Sequence, residues 1–384
     1  MATRIRNGTL VTPCETLVGH TLVVESGKIV ALAAAGREPE RPGDEIVDAQ
    51  GLWVAPGLID VHVHGAVGHD TMDATPEAIW GMARFFAQHG VTSYLATTAA
   101  APPEVLQASI DNLAACRLPD DGAQHLGLHI EGPYLNPNYR GAQPAQYLRD
   151  ADPGEYEPWL ASGQVRLITV APECPGSLAL IRHGVEAGVE FAVGHSQASY
   201  EQVSEAADLG LRQATHTFNG MLGLHHRSPG TVGAVLADDR IYAQIIADGV
   251  HLHPAVVKIV VRAKGLERTI LITDAVRAAG LEDGDYTLAG EPITVRDGIC
   301  RTADGGLAGS TLTLDAAVRN TMRFAGVTLG QGLTMATATP AEAMGWSGRK
   351  GVLAPGADAD VILLDADLNV RLTMVAGRTV FRAS

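Results

Sequence analysis

Short apolar runs that read as β-strands alternate along most of this chain with segments of helical character. The candidate strands fall at 57–63, 91–97, 125–131, 165–171, 189–194, 212–216, 242–248 and 269–274. Strand–helix alternation of this kind is the pattern of βα units and a parallel sheet. Eight such units predict an α/β protein with a (β/α)8, TIM-like barrel. Thr75-Pro76-Glu77 has the form of an N-cap followed by Pro at the first helical position, and Gly90 ends the helix it starts. The stretch 285–303 breaks the alternation with hairpin-like sequence and predicts an insertion before the last helix.

The two ends have a different texture. Thr21-Leu22-Val23-Val24-Glu25 and Ile29-Val30-Ala31, joined by Ser26-Gly27-Lys28, predict a hairpin. Val361-Ile362-Leu363-Leu364-Asp365 and Arg371-Leu372-Thr373-Met374-Val375 predict strands, with another turn starting at Ala376-Gly377-Arg378. Residues 1–53 and 350–384 are therefore expected to pair into one small β-sandwich domain built from both termini, and 54–349 to form the catalytic barrel.

Length and composition allow this. The chain has 384 residues, 46% of them hydrophobic and 18% charged, enough to bury one large core and a satellite. A net charge of −15 argues against nucleic acid or an anionic membrane as partner. It leaves room for a small anionic substrate, because a local Arg/His pocket can oppose the global field. No apolar run reaches the roughly 20 residues that span a bilayer, and the first residues lack the apolar segment of a signal peptide. Cys14, Cys116, Cys174 and Cys300 are scattered, without a Cys-x-x-Cys pair. The expectation is a reduced, cytoplasmic protein.

The candidate chemistry sits at strand ends. His62 and His64, in Asp60-Val61-His62-Val63-His64-Gly65, are two apart and would share a strand face. Glu131 follows an apolar stretch, where a carboxylate is costly to bury unless paired or metal-bound. His195 and His216 end two consecutive candidate strands, and Asp274 ends the eighth. Each has a plain alternative: a hydrogen-bonded histidine, a salt-bridged acid, a helix-capping aspartate. Together they fit a metal centre assembled from distant strand ends, in which Asp274 could bind metal and shuttle a proton. His20, His89, His125 and His183 read as structural, and His69 carries no assignment.

Longer motifs surround these residues: Pro56-Gly57-Leu58-Ile59-Asp60-Val61-His62-Val63-His64-Gly65, His129-Ile130-Glu131-Gly132-Pro133-Tyr134-Leu135-Asn136, Gly194-His195-Ser196, Thr215-His216-Thr217-Phe218-Asn219-Gly220-Met221, His225-His226-Arg227-Ser228-Pro229-Gly230, Ala247-Asp248-Gly249-Val250-His251, Thr273-Asp274-Ala275 and Leu307-Ala308-Gly309-Ser310. On these, the chain resembles the N-acetylglucosamine-6-phosphate deacetylases of the amidohydrolase superfamily over nearly its whole length. The Glu-Gly-Pro and His-x-Phe-Asn-x-Met pieces are the most specific.

The resemblance implies hydrolysis of the N-acetyl group of N-acetylglucosamine 6-phosphate, giving glucosamine 6-phosphate and acetate. Glu131, His195 and His216 would hold the principal divalent ion, and His62 and His64 a second, with Glu131 bridging. Some relatives lack the two histidines and work with one metal. Zinc is the first expectation, with iron, manganese or cobalt as alternatives. Asn219 and the Gly220 backbone would take the phosphate, joined by His226 and Arg227, the latter reaching across a homodimer in relatives. His251 and Leu307 would face the sugar. The fourth strand ends Ile168-Thr169-Val170-Ala171, without the metal-bridging lysine of many superfamily members.

One departure matters. Where the family usually has Gly-Ala-His, with a histidine that polarises the amide carbonyl, this chain has Gly141-Ala142-Gln143. Gln143 can donate a hydrogen bond to an oxyanion but cannot become cationic. The competing readings are an amidohydrolase acting on another N-acyl amino sugar such as N-acetylgalactosamine 6-phosphate, or on an N-acyl amino acid or cyclic amide, and a catalytically dead scaffold.

Overall fold

The computed structural model describes residues 2–12, 15–34, 37 and 41–383; Cys14 lies outside them. Eight parallel strands form one sheet in sequential order: β1 Leu58–Val63, β2 Val91–Thr98, β3 Gln124–Glu131, β4 Val165–Val170, β5 Glu190–Val193, β6 Gln213–Ala214, β7 Tyr242–Ile246 and β8 Thr269–Ile272. A helix follows each strand, from Pro76–Gln88 after β1 to Leu314–Ala325 after β8. The first helix has the expected start, with Thr75 Oγ1 accepting from Ala78 N and Pro76 at the first position.

The sheet closes on itself. Asp60 of β1 accepts from Thr273 Oγ1 at 2.6 Å, and Asp274 N donates to the His62 carbonyl at 3.0 Å. Side chains alternate across the strands. Leu128, Ile130, Ile168, Val170 and Leu271 pack outward against the helices, whereas Leu167, Ile270 and Ile272 join the inner core. Ala341, Ala343 and Met344 complete that inner core. They belong to or follow Ala338–Ala343, so the helix after the insertion is not the last: Leu329–Thr334 and Ala338–Ala343 succeed it. The short helix Leu329–Thr334 carries its own start signal, a reciprocal cap between Thr328 and Gln331. The insertion itself is a three-stranded antiparallel sheet, Gly284–Leu288, Glu291–Arg296 and Ile299–Thr302.

The terminal strands form two further sheets. One pairs Lys28–Ala34, His20–Glu25, Thr3–Arg6 and Glu45–Asp48; the other contains Arg378–Arg382, Val370–Val375, Val361–Leu364, Trp53–Pro56, Thr9–Val11 and Thr16–Val18. Ile5, Leu10, Leu22, Val24, Val54, Leu363 and Met374 make the core between them. Both predicted turns are tight, with Ser26–Gly27 and Ala376–Gly377 each at positive φ as a primed hairpin turn requires. Buried Lys350 fastens this unit to the barrel: its Nζ lies 2.7 Å from Asp360, 3.1 Å from Asp358 and 3.3 Å from Gln124 Oε1 at the start of β3. No helix among the described residues is long and apolar enough to cross a membrane.

A partly buried acid ties the ends of the helical ring. Asp315, in the first turn of Leu314–Ala325, meets His89 Nδ1 at 3.2 Å and Arg319 at 2.9 Å. Burial alone would raise its carboxyl, but His89 and then Arg319 hold it down at about 2, against an ordinary 3.8. A depressed folded-state pKa stabilises fully above 3.8 and loses its effect as pH falls through 2. Asp315→Asn is therefore expected to cost about 2 kcal/mol at neutral pH. Denaturant unfolding of both proteins should show that difference shrinking between pH 4 and pH 2, about the interval separating the two pKa values.

Candidate metal-dependent active site

Each expected ligand stands at the carboxyl end of a barrel strand, where barrel enzymes build their sites. His62 is in β1 with His64 just beyond it, Glu131 is the last residue of β3, and His195, His216 and Asp274 each lie two residues past β5, β6 and β8. Three of them leave the strand in left-handed backbone geometry: His195 at φ 47, His216 at φ 30 and Asp274 at φ 51. Non-glycine residues pay roughly 1–3 kcal/mol each for such conformations, which persist only where neighbours hold them. Here Asn136 N bonds the His195 carbonyl, Asn219 N that of His216, and Ser310 N that of Asp274, at 2.8–2.9 Å.

All six side chains are buried and converge on Glu131. Its Oε1 is 3.2 Å from His195 Nε2 and 2.9 Å from His216 Nε2; its Oε2 is 3.3 Å from His64 Nε2. Asp274 Oδ1 lies 3.3 Å from His62 Nε2 and 3.2 Å from His64 Nε2. Two ligand groups result, His62–His64–Glu131 and Glu131–His195–His216.

Ring orientations bear on what these groups could hold. His195 Nδ1 is 2.9 Å from the Tyr139 carbonyl and His216 Nδ1 is 3.1 Å from the Asn219 carbonyl. A carbonyl only accepts, so each Nδ1 carries a hydrogen and each ring turns its Nε2 inward toward Glu131. Those two Nε2 atoms are 3.1 Å apart, a separation that needs either a shared proton or a cation between them. Ligand atoms around a tetrahedral ion with bonds of about 2.0–2.2 Å are separated by roughly 3.3 Å, so the spacing fits a divalent metal.

The charges agree. Burial works against a cationic His62 or His64, yet Glu131 and Asp274 hold their pKa values up at about 9 and about 10. Burial likewise opposes ionisation of Glu131 and Asp274, and His62 outweighs it to keep both carboxyls well below their ordinary range. Burial leads in lowering His216. This cluster requires positive charge, supplied by protons or by metal.

Supporting residues include several with no assignment from sequence. Asp60, raised to about 6 by burial, joins His62 N (3.2 Å) to Thr273, one residue before Asp274. Its position inside the first motif, a carboxylate in an apolar run, was the available signal. His129 Nε2 meets Thr169 Oγ1 at 2.7 Å, and Thr169 meets Thr215 Oγ1 at 2.6 Å, forming a polar layer beneath the ligands. Gln143 is held at both ends: its Oε1 accepts from Ala100 N at 2.7 Å, and its Nε2 donates to Glu131 Oε2 at 2.8 Å. The backbone donor fixes the amide orientation.

Above the cluster opens a cavity of about 410 Å³. Gln143, Asn219, Gly220, His251 and Leu307 line it alongside the metal-ligand candidates. His251 Nδ1 contacts Asp248 at 2.6 Å; burial would lower this imidazole, but Asp248 raises it. His226 and Arg227 are not in the lining. They sit exposed on the loop after β6, Arg227 Nη1 against His226 Nε2 at 2.7 Å. His183 bonds Tyr156 and His89 pairs with Asp315, while His69 packs against Gly81, where any Cβ would meet its ring at 2.4 Å.

Comparison with known proteins agrees with this chemistry. The amidohydrolase family profile matches residues 53–380. The chain belongs to the amidohydrolase family, whose members are metal-dependent hydrolases. More narrowly, it is similar to the deacetylases of N-acetylhexosamine 6-phosphates. It is 41% identical to N-acetylgalactosamine-6-phosphate deacetylase of Escherichia coli O157:H7, over 94% of each chain, and 42% identical to N-acetylglucosamine-6-phosphate deacetylase of Vibrio furnissii, over 86% of this chain and 83% of that one. The N-acetyl-D-glucosamine-6-phosphate deacetylase of Mycobacterium smegmatis, solved as an aspartate-to-alanine mutant with N-acetyl-D-glucosamine 6-phosphate, superposes with a TM-score of 0.90 at 35% identity, over 99% of both chains.

Gln143→Leu removes the donor to Glu131 while keeping the volume. Loss of a partner that orients a metal ligand typically costs about 10–100-fold in affinity. The variant should retain less metal than the parent after dialysis against a competing chelator, with an unchanged circular dichroism spectrum.

Proposed function

We propose that the protein hydrolyses the N-acetyl group of N-acetylglucosamine 6-phosphate, releasing acetate and glucosamine 6-phosphate in amino-sugar catabolism and recycling. The observation that carries this reading is the pair of histidine groups sharing Glu131, with Asp274 beside them, under a cavity that Asn219, Gly220 and His251 also line.

Glu131, His195 and His216 hold the principal divalent ion, zinc first among the candidates, and His62 with His64 hold a second where both positions fill. The metal supplies the Lewis acidity that polarises the attacking water and the amide carbonyl. Asp274 accepts the proton of the water that adds to the amide carbonyl and then passes it to the sugar nitrogen, so the C–N bond breaks as the tetrahedral oxyanion collapses and the amine leaves neutral. Gln143 keeps Glu131 in place and has a second amide hydrogen for the developing oxyanion. Asn219 and the Gly220 N–H bind the phosphate, His251 a sugar hydroxyl, and Leu307 the apolar side of the ring. His226 and Arg227 serve the pocket of a second copy, making the working unit a homodimer in the cytoplasm. Residues 1–53 and 350–384 act as the supporting β-domain for a catalytic unit at 54–349.

The galactosamine epimer is a second reading, because a galactosamine 6-phosphate deacetylase is among the similar proteins. Acetate release should be measured with the gluco and galacto N-acetylhexosamines, each with and without the 6-phosphate. The proposal expects turnover of a 6-phosphate and little without it. Preference for non-phosphorylated N-acyl amino acids would sink it. Asp274→Asn should retain metal and bind the phosphorylated substrate, yet turn over about a hundredfold to ten-thousandfold more slowly. Near-parental turnover would remove Asp274 from the proton path.

A further inference from the structure

A second cavity, also about 410 Å³, opens at the opposite end of the barrel, where β3 and β4 begin. His125, Gln164, Arg166, Trp346 and Arg349 line it, and no carboxylate does. That is unusual surroundings for cations in a chain of net charge −15.

The cations here are under-used. Arg166 is exposed and has no ion pair or hydrogen bond among the described residues. Arg349 is 54% exposed, and its nearest acid, Asp358, is 3.9 Å away. Guanidinium groups offer five donors in a planar fork that suits phosphate oxygens. Both ring nitrogens of His125 are buried without a partner, so the imidazole has a donor with nothing to bind. Burial holds its pKa at about 4, so His125 lines the cavity as a neutral ring and adds no charge to that of the two arginines. Gly127 completes the arrangement: a Cβ there would come within 2.5 Å of both Arg166 Cγ and the Gln164 carbonyl. Only glycine lets the Arg166 stem lie across β3, with the guanidinium at the cavity.

We propose that this cavity is a binding site for a phosphate oxyanion, either inorganic phosphate or the phosphoryl group of a small monoester, held by Arg166 and Arg349. It lies at the end of the barrel away from the catalytic cavity and is independent of the deacetylase reading. Trp346 provides the probe. Metal-loaded protein titrated with inorganic phosphate, and separately with glucose 6-phosphate, at constant ionic strength should show a saturable change in tryptophan fluorescence that is absent in Trp346→Phe. Arg166→Ala should weaken that binding about tenfold or more, as loss of a charge-assisted hydrogen bond does. Arg166→Lys should restore part of it. Tighter binding of the monoester assigns the site to phosphorylated metabolites, tighter binding of phosphate assigns it to the free ion, and either supports the proposal. A signal that fails to saturate, or that is the same in Arg166→Ala, overturns it. Calorimetry on the same proteins separates this site from the catalytic cavity, whose phosphate binding Arg166→Ala should leave intact.

Discussion

The buried carboxylate of Glu131 sets the terms for the whole barrel mouth. A lone ionised acid there would be strongly disfavoured, and its pKa would rise until it took a proton. Histidines from three other strands prevent this: His195, His216 and, at 3.7 Å, His62 face Oε1, and His64 faces Oε2. Because the partners come from β1, β5 and β6, the charge is satisfied only when the barrel is closed in register. A one-residue slip of β3 would turn Glu131 outward among the apolar residues beneath the helices. Site and fold therefore depend on one another, and Asp60, joining β1 to the segment after β8, closes the ring at the place where the ligands need it.

The left-handed residues show how local strain serves the same end. A strand residue points either inward or outward, so a side chain that must lean over the barrel axis needs a sharp backbone turn. His195, His216 and Asp274 make that turn at the cost of occupying a region that suits glycine. Glycine would adopt it without strain but brings no ligand. The backbone donors to the His195 and Asp274 carbonyls, Asn136 N and Ser310 N, come from other loops, so the strain there is held by contacts distant in sequence, whereas His216 is held by Asn219 N within its own turn.

The same constraints decide which features are legible in the sequence. The eight strands were legible because parallel strands buried on both faces leave near-continuous apolar runs. β6 is the instructive exception: its run suggested 212–216, but pairing covers only Gln213–Ala214, since the chain turns at His216 to present the ring. Residues at strand ends stood out as polar groups after apolar runs. The roles that stayed hidden depend on contacts across loops. Gln143 could be placed near the chemistry only by resemblance, and nothing local indicates that its amide bridges Ala100 and Glu131. His129, Thr169 and Thr215 were invisible for a similar reason, each being an ordinary polar residue until the barrel stacks them into one layer. His125 read as structural, and only the fold reveals that its nitrogens lack partners.

Electrostatics gives the proposed second copy a physical purpose. The chain carries −15 overall, and its catalytic cavity adds Glu131, Asp274 and Asp304 to that field. A phosphorylated sugar would approach as a dianion. Screening limits the influence of distant charges to about 8 Å at physiological salt, so groups at the cavity decide whether it binds. On the proposed reading, Asn219 and Gly220 at the phosphate end are neutral donors, and His251 is already paired with Asp248. The cation next along the chain, Arg227, is held out on an exposed loop away from its own pocket. An arginine delivered by a neighbouring molecule would supply the bidentate partner that a phosphate lacks in the isolated subunit. On the proposed reading, association of two chains is therefore a condition for substrate recognition and not merely for stability.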